Sequence, residues 1–151
     1  MIDAKGWLVL GSVMAGLAVV TGAFAAHGLD SYCVEKYGSE EPKIVAGFSV
    51  PVSWKRVEDF KTGAEYQMYH ALGMIAVGLL LGSRPRRSLQ LAGWSFLLGI
   101  VLFSGSLYMI TLTGETKWGM VAPIGGTLYI VGWFTLAFAA FTQTAPTEPS
   151  T

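Results

Sequence analysis

Four uncharged, apolar runs of membrane-crossing length occupy more than half of this chain and decide what it can fold into. A helix needs about 20 mostly apolar residues to cross the hydrocarbon core of a bilayer. Residues 7–26 satisfy that, and 91–113 and 120–141 are long enough to span with some tilt. Residues 66–82 form a shorter run, near the lower limit of roughly 17 residues. In lipid every backbone polar group must find its partner within the segment, so these runs are expected to be helices. The short alternating segments of a membrane barrel are absent. The sequence thus predicts an all-α fold, an integral membrane four-helix bundle in one domain over residues 1–141. A long extracytoplasmic loop, 28–63, joins the first two helices, and a Thr- and Pro-rich tail, 142–151, is expected to be disordered.

Charge supports this reading. Only 13% of the residues are charged, about half the usual share for a soluble domain. Most of those charges fall in 30–61, 84–87 and 115–117. The formal net charge is zero, which gives no reason to expect nucleic acid as a partner. Cys33 is single, so it offers neither an internal disulfide nor metal-ligand spacing. The chain has no asparagine and hence no N-glycosylation site. The first run has a rival reading as a signal peptide, with Lys5, an apolar stretch and the A-x-A site Ala23-Phe24-Ala25. Its apolar stretch exceeds the usual 7–15 residues, which favours a retained helix.

Orientation follows from the short loop holding Arg84, Arg86 and Arg87 without an acid. Such loops stay in the cytoplasm, so both termini are expected on the cytoplasmic or matrix side of a bacterial or mitochondrial inner membrane. Lys36, Lys43, Lys55, Arg56 and Lys61 of the 28–63 loop argue the other way, but they are spread out and accompanied by acids. Trp7 and Trp94 would then sit at the inner interface and Trp54 and Trp118 at the outer, with Trp133 packed deeper. Within the loop, Trp54, Val57, Phe60 and Ala64 recur at helical spacing among charged residues. That pattern predicts a short amphipathic helix lying on the outer interface, started by Pro51 and Ser53, or else a solvated loop with accidental periodicity.

Small-xxx-small pairs Gly11…Ala15, Ser12…Gly16 and Gly78…Gly82 should let helices approach closely, within the bundle or between subunits. His27 and His70 are the only histidines. Each lies at an end of an apolar run, so antiparallel helices would bring them to one depth near the outer face. A shared polar cluster of His27, His70, Tyr66, Gln67, Ser104 and Ser106 is expected. Ionisable residues within a membrane segment are functional candidates, and two imidazoles at one level could ligate a metal or haem. The plainer alternative is hydrogen bonding to helix-end carbonyls and neighbouring helices. No third metal ligand stands near apart from Glu65 or Asp30, so no metal site and no cofactor is assigned.

Helix-loosening residues, 103–106 with Tyr108 and 122–126, can line a cavity or mark close packing. No Asp or Glu lies inside a run, against a proton-coupled carrier. No phosphate-binding loop, H-E-x-x-H, C-x-x-C or G-x-S-x-G occurs, so nothing points to an enzyme. Two functional readings remain. The first is a non-enzymatic structural or accessory subunit, self-associating or part of a larger membrane complex. The alternative is a protein binding a small ligand (metal, haem, quinone or lipid) through His27 and His70.

Gly22-Ala23-Phe24-Ala25-Ala26-His27-Gly28-Leu29 resembles the first-helix signature of a family of small membrane proteins, domain of unknown function 423, which includes the animal transmembrane protein 256. Tyr66-Gln67-Met68-Tyr69-His70-Ala71-Leu72 resembles its second signature. Segments 102–108 (Leu-Phe-Ser-Gly-Ser-Leu-Tyr) and 122–126 (Ala-Pro-Ile-Gly-Gly) resemble the third and fourth. Ala25 stands where the family often has glycine, and the 28–63 loop is longer than the family usually shows. The resemblance implies a four-helix inner-membrane protein with no agreed catalytic residues. It singles out His27, Gly28, Tyr66, Gln67, His70, Ser104, Gly105, Ser106, Pro123, Gly125 and Gly126.

Overall fold

The first helix, α1, runs over Ala4–His27, capped at its start by the Asp3 carboxylate, which accepts from the Gly6 N–H at 2.8 Å. The computed structural model describes residues 1–83 and 87–142, which are mostly helical. The Arg84 and Arg86 part of the basic loop and the tail from residue 143 lie outside the described residues. After Gly28 the chain turns at once into α2, Leu29–Tyr37. Strands β1, Lys43–Val45, and β2, Phe48–Val50, pair as an antiparallel hairpin. Its two-residue turn, Ala46-Gly47, has positive φ at both positions, the geometry that matches strand twist. Then come α3, Val52–Ser83, and α4, Arg87–Gly99, which passes through a π-helical turn, Ile100–Ser104, into α5, Gly105–Thr113. A 3₁₀ turn, Thr116–Met120, leads to α6, Ala122–Phe141.

Residues 28–63 are therefore not a loop with a separate interfacial helix. The periodic segment around Trp54–Ala64 is the first third of α3 and continues without a break into the apolar run. Its facing also differs from the expected stripe. Val57, Phe60 and Ala64 are buried, but Trp54 is exposed and Arg56 is buried, with its guanidinium 5.5 Å from the centre of the Tyr37 ring. The reason lies in α2, whose i, i+4, i+8 residues Leu29, Cys33 and Tyr37 pack on Val52, Val57 and Phe60. Burial, reinforced by the Asp30 charge, pushes the Cys33 thiol above its usual pKa. α2 also satisfies the free carbonyls at the end of α5: Tyr37 donates to Thr111 O at 2.6 Å, and Tyr32 donates to Leu112 O at 2.7 Å. Lys36 donates to the same Leu112 carbonyl, where a cation suits the helix dipole.

Among the described residues, three helical stretches, Ala4–His27, Arg87–Thr113 and Thr116–Phe141, are long and apolar enough to cross a membrane. Their outward residues are as apolar as their inward ones: Val13, Val20, Leu98, Val101, Phe134 and Phe138 are all exposed. A water-facing helix would carry polar residues there. α3 packs antiparallel along α1, and α6 packs on α4 and the π turn.

Glycines form seats for rings in these contacts. An added Cβ at Gly93 would strike the Trp7 ring, at Gly73 or Gly132 the Phe96 ring, at Gly99 the Tyr129 ring, and at Gly63 the Tyr108 ring. Gly11 and Gly78 bring α1 and α3 together: a Cβ on Gly11 would lie 2.9 Å from Ala71 O, and on Gly78 2.9 Å from Leu8 N. Close backbone approach of this kind is what holds helices together in lipid. Ala15 joins the same packing from its partly buried position. Other expected packing positions do not serve inside the chain. Gly16, Gly82 and Gly105 face open space, Ser12 is exposed, and Gly126 only grazes the Phe103 ring.

Candidate functional site

The register of α1 against α3 decides where the histidines lie. Gly78 meets Leu8, Gly11 meets Ala71 and Ile75, Gln67 donates to Met14 O, and Phe24 meets Phe60. His70 is thus level with about residue 14 of α1, some 13 residues from His27. At 1.5 Å per residue that is roughly 20 Å along the helix axis. The expectation of one depth near the outer face is overturned, because α3 begins at Val52, some four turns before the apolar run. His70 is a mid-helix residue. His27 is exposed at the end of α1, whereas His70 is only 4% exposed, so the two imidazoles share no site.

His70 stacks on Tyr129 of α6, ring centres 3.3 Å apart and planes at 6°. Its Nδ1 lies 2.6 Å from Tyr66 O, the carbonyl one turn earlier. A carbonyl only accepts, so Nδ1 carries the proton. Among the described residues Nε2 has no hydrogen-bond partner, and it is not sealed off. Tyr129 OH and Ser104 Oγ are 3.2 Å apart. Ser104 closes the π turn, in which Gly105 N–H bonds to Ile100 O, five residues back. Such a turn re-aims the side chains of one helical stretch and recurs at functional sites.

The expected cluster therefore divides. His70, Tyr66 and Ser104 gather around Tyr129. Gln67 belongs to a second network toward α1 and α5: it donates to Met14 O and accepts from Tyr108 OH, each at 2.9 Å, and Tyr108 OH lies 3.2 Å from Thr21 Oγ1. Ser106 donates to the Phe103 carbonyl of its own helix. Tyr129 escaped the sequence reading. The available signal was a phenol hydroxyl inside an apolar run, which must find a partner away from lipid.

A groove of about 650 Å³ opens beside the stacked pair, within the usual range for small-molecule sites. Tyr66, Tyr69 and His70 of α3 form one side, and Pro123, Thr127, Ile130 and Trp133 of α6 the other, over Phe103 of the π turn. Ile130, Trp133 and Tyr69 are exposed, so the groove opens sideways. A smaller depression of about 320 Å³ between α1 and α3 is lined by Ala18, Gly22, Ala64 and Met68, with Lys61 and Glu65 at its edge. Among the described residues, no three of His, Cys, Asp or Glu come together as a metal would need.

The family model described as "Protein of unknown function (DUF423)" matches residues 21–126, a stretch that contains all four resembling segments. The chain belongs to this family. Among its relatives, the UPF0382 membrane protein of Staphylococcus epidermidis strain RP62A is 39% identical over 135 residues, 89% of this chain and 94% of that protein. The UPF0382 membrane protein YwdK of Bacillus subtilis is 36% identical over 137 residues, 90% and 96% of the two chains. A UPF0382 membrane protein of Haemophilus influenzae is 36% identical over 135 residues, 89% and 93% of the two chains. No solved structure matches. This DUF423 member is a membrane protein, as the relatives' names and its own apolar outer faces agree.

Proposed function

We propose that the protein crosses the membrane four times and binds a small, membrane-soluble ligand in the groove beside His70. The fourth crossing is the apolar part of α3, which lies between α1 and α4 and turns Leu72 and Leu79 outward. The basic run of Arg84, Arg86 and Arg87 favours the cytoplasmic or matrix side of an inner membrane for the α3–α4 connection and both termini. Reporter fusions after Ser83 and after Phe48 should then read opposite compartments. Identical readings would remove the fourth crossing, and opposite readings with Phe48 on the cytoplasmic side would reverse the orientation.

One observation carries the binding reading: a histidine buried at mid-helix, with a nitrogen unpartnered, lines a groove that opens where lipid would be. A ligand reaching it comes through the bilayer. Protein purified in mild detergent should retain a lipophilic molecule detectable by solvent extraction and mass spectrometry. His70→Phe should lower its occupancy at least several-fold. Equal occupancy in the two proteins would sink this use of His70.

A second reading, an accessory or self-associating subunit, is favoured by Ser12 and Gly16, which leave an open small-residue strip on the outer side of α1. Native sizing in detergent should show a dimer or larger species that Gly16→Leu reduces to monomer. A monomeric wild type would remove self-association.

A further inference from the structure

The groove's polarity is more specific than its shape. Its buried polar side chains are Tyr129 and His70. With the Nδ1 proton committed to Tyr66 O at 2.6 Å, Nε2 of the neutral ring presents a lone pair and no proton. Two neighbouring hydroxyls are already engaged. Thr127 Oγ1 donates to Pro123 O at 2.9 Å, and the Tyr129 hydroxyl is shared with Ser104. The Tyr66 and Tyr69 hydroxyls belong to exposed rings at the rim. A ligand that reaches His70 therefore meets an acceptor that needs a donor. The walls are flat rings, Tyr66, Phe103 and Trp133, which favour an offset-stacked aromatic partner.

We infer that the groove selects an aromatic ring bearing a hydroxyl, the phenol or hydroquinone headgroup of an apolar-tailed lipid, over the same ring bearing only carbonyls. This rests on the groove-binding reading above and names its ligand class. A hydroxyl donates to Nε2. A quinone carbonyl would set lone pair against lone pair in a site with little water to intervene. Leaving a buried acceptor unsatisfied weakens binding by about tenfold or more. The groove thus holds the reduced form of a quinone-type lipid and releases the oxidised form, without itself transferring electrons.

The test uses the full chain in lipid nanodiscs under anaerobic conditions. The probes are four labelled molecules with one common short isoprenoid tail: a benzohydroquinone, the matching benzoquinone, a phenol and an unsubstituted benzene. Retention is measured at equilibrium for the wild type, His70→Phe and Gly126→Phe. The hydroquinone and the phenol should bind about tenfold tighter than the quinone. His70→Phe, which keeps a ring against Tyr129, should erase that preference. Gly126→Phe fills the groove and should abolish retention of every probe. Should His70→Phe fail to fold, the wild-type preference and its loss in Gly126→Phe carry the test. Equal binding of hydroquinone and quinone overturns the inference, as does a preference surviving in His70→Phe. If the benzene probe is retained, lost in Gly126→Phe, and unaided by a hydroxyl, groove binding stands and the ligand class falls. If no probe is retained, both fall. Hydroquinone retained and phenol rejected would narrow the class to rings with two hydroxyls.

Discussion

Replacing Trp7 with alanine is expected to produce one of the largest losses of stability available in this protein. The Trp7 ring is completely buried where α1, α3 and α4 meet, among Ala71, Met74 and Leu89. Gly93 gives it room, its edge meets Trp94 at 5.7 Å and 83°, and its indole N–H donates to Gln90 Oε1 at 3.2 Å. Gln90 in turn donates to the Ile2 carbonyl, so the ring also pins the start of α1. Truncating a buried Trp in a water-soluble core costs about 3–5 kcal/mol. In lipid the transfer part shrinks, because separated helices are also in apolar surroundings, and the packing part remains. About 2–3 kcal/mol is therefore expected for Trp7→Ala, read by denaturing-detergent titration in mixed micelles. Trp94→Ala, at a half-exposed ring, should cost well under half of that. If the two cost the same, Trp7 is anchoring at the headgroups and not packing.

That contrast also marks where the sequence stops being legible. Crossing helices could be read because lipid forces apolar residues on all sides of α1 and α6, and such runs are visible without knowing any contact. The tryptophans could not be sorted. A Trp near the end of an apolar run suits the headgroup level, and only the facing Gly93 shows that Trp7 goes inward. His70 was misplaced for a related reason. Depth was judged from where the charges stop, near Glu65, while the helix is held in register from Val52 by α2, through contacts remote in sequence. Half of the polar cluster was readable: His70, Tyr66 and Ser104 do converge, but on Tyr129, whose hydroxyl within an apolar run was passed over. The π turn was legible only in part, since the helix-loosening residues 103–106 overlap its end while its start at Ile100 carries no such signal.

The same turn sets up the second large effect. Gly125→Ala should destabilise the protein, although it adds a single methyl group to a helix that ordinarily prefers alanine. The new Cβ would press on Phe103 N and lie 2.9 Å from Phe103 Cα. Those are backbone atoms of the π turn, which cannot swing aside as a side chain can. α6 would have to move away from α4 and α5, and overpacking of this kind typically costs about 1–3 kcal/mol. The movement would also reach the groove, because Phe103 is its floor and Tyr129 sits one helical turn further along α6. Gly105→Ala is the matched control. It lies two residues beyond Phe103, on the α5 side of the turn, with nothing within 4 Å of an added Cβ, so it should be neutral or gain up to about 1 kcal/mol from helix propensity. Melting of both variants in one detergent separates steric seating from propensity. The seating account requires Gly125→Ala to melt several degrees lower and Gly105→Ala to melt no lower than the wild type. Equal stability of Gly125→Ala and wild type would mean that α6 does not rest on the π turn, and the groove between α3 and α6 would lose its floor.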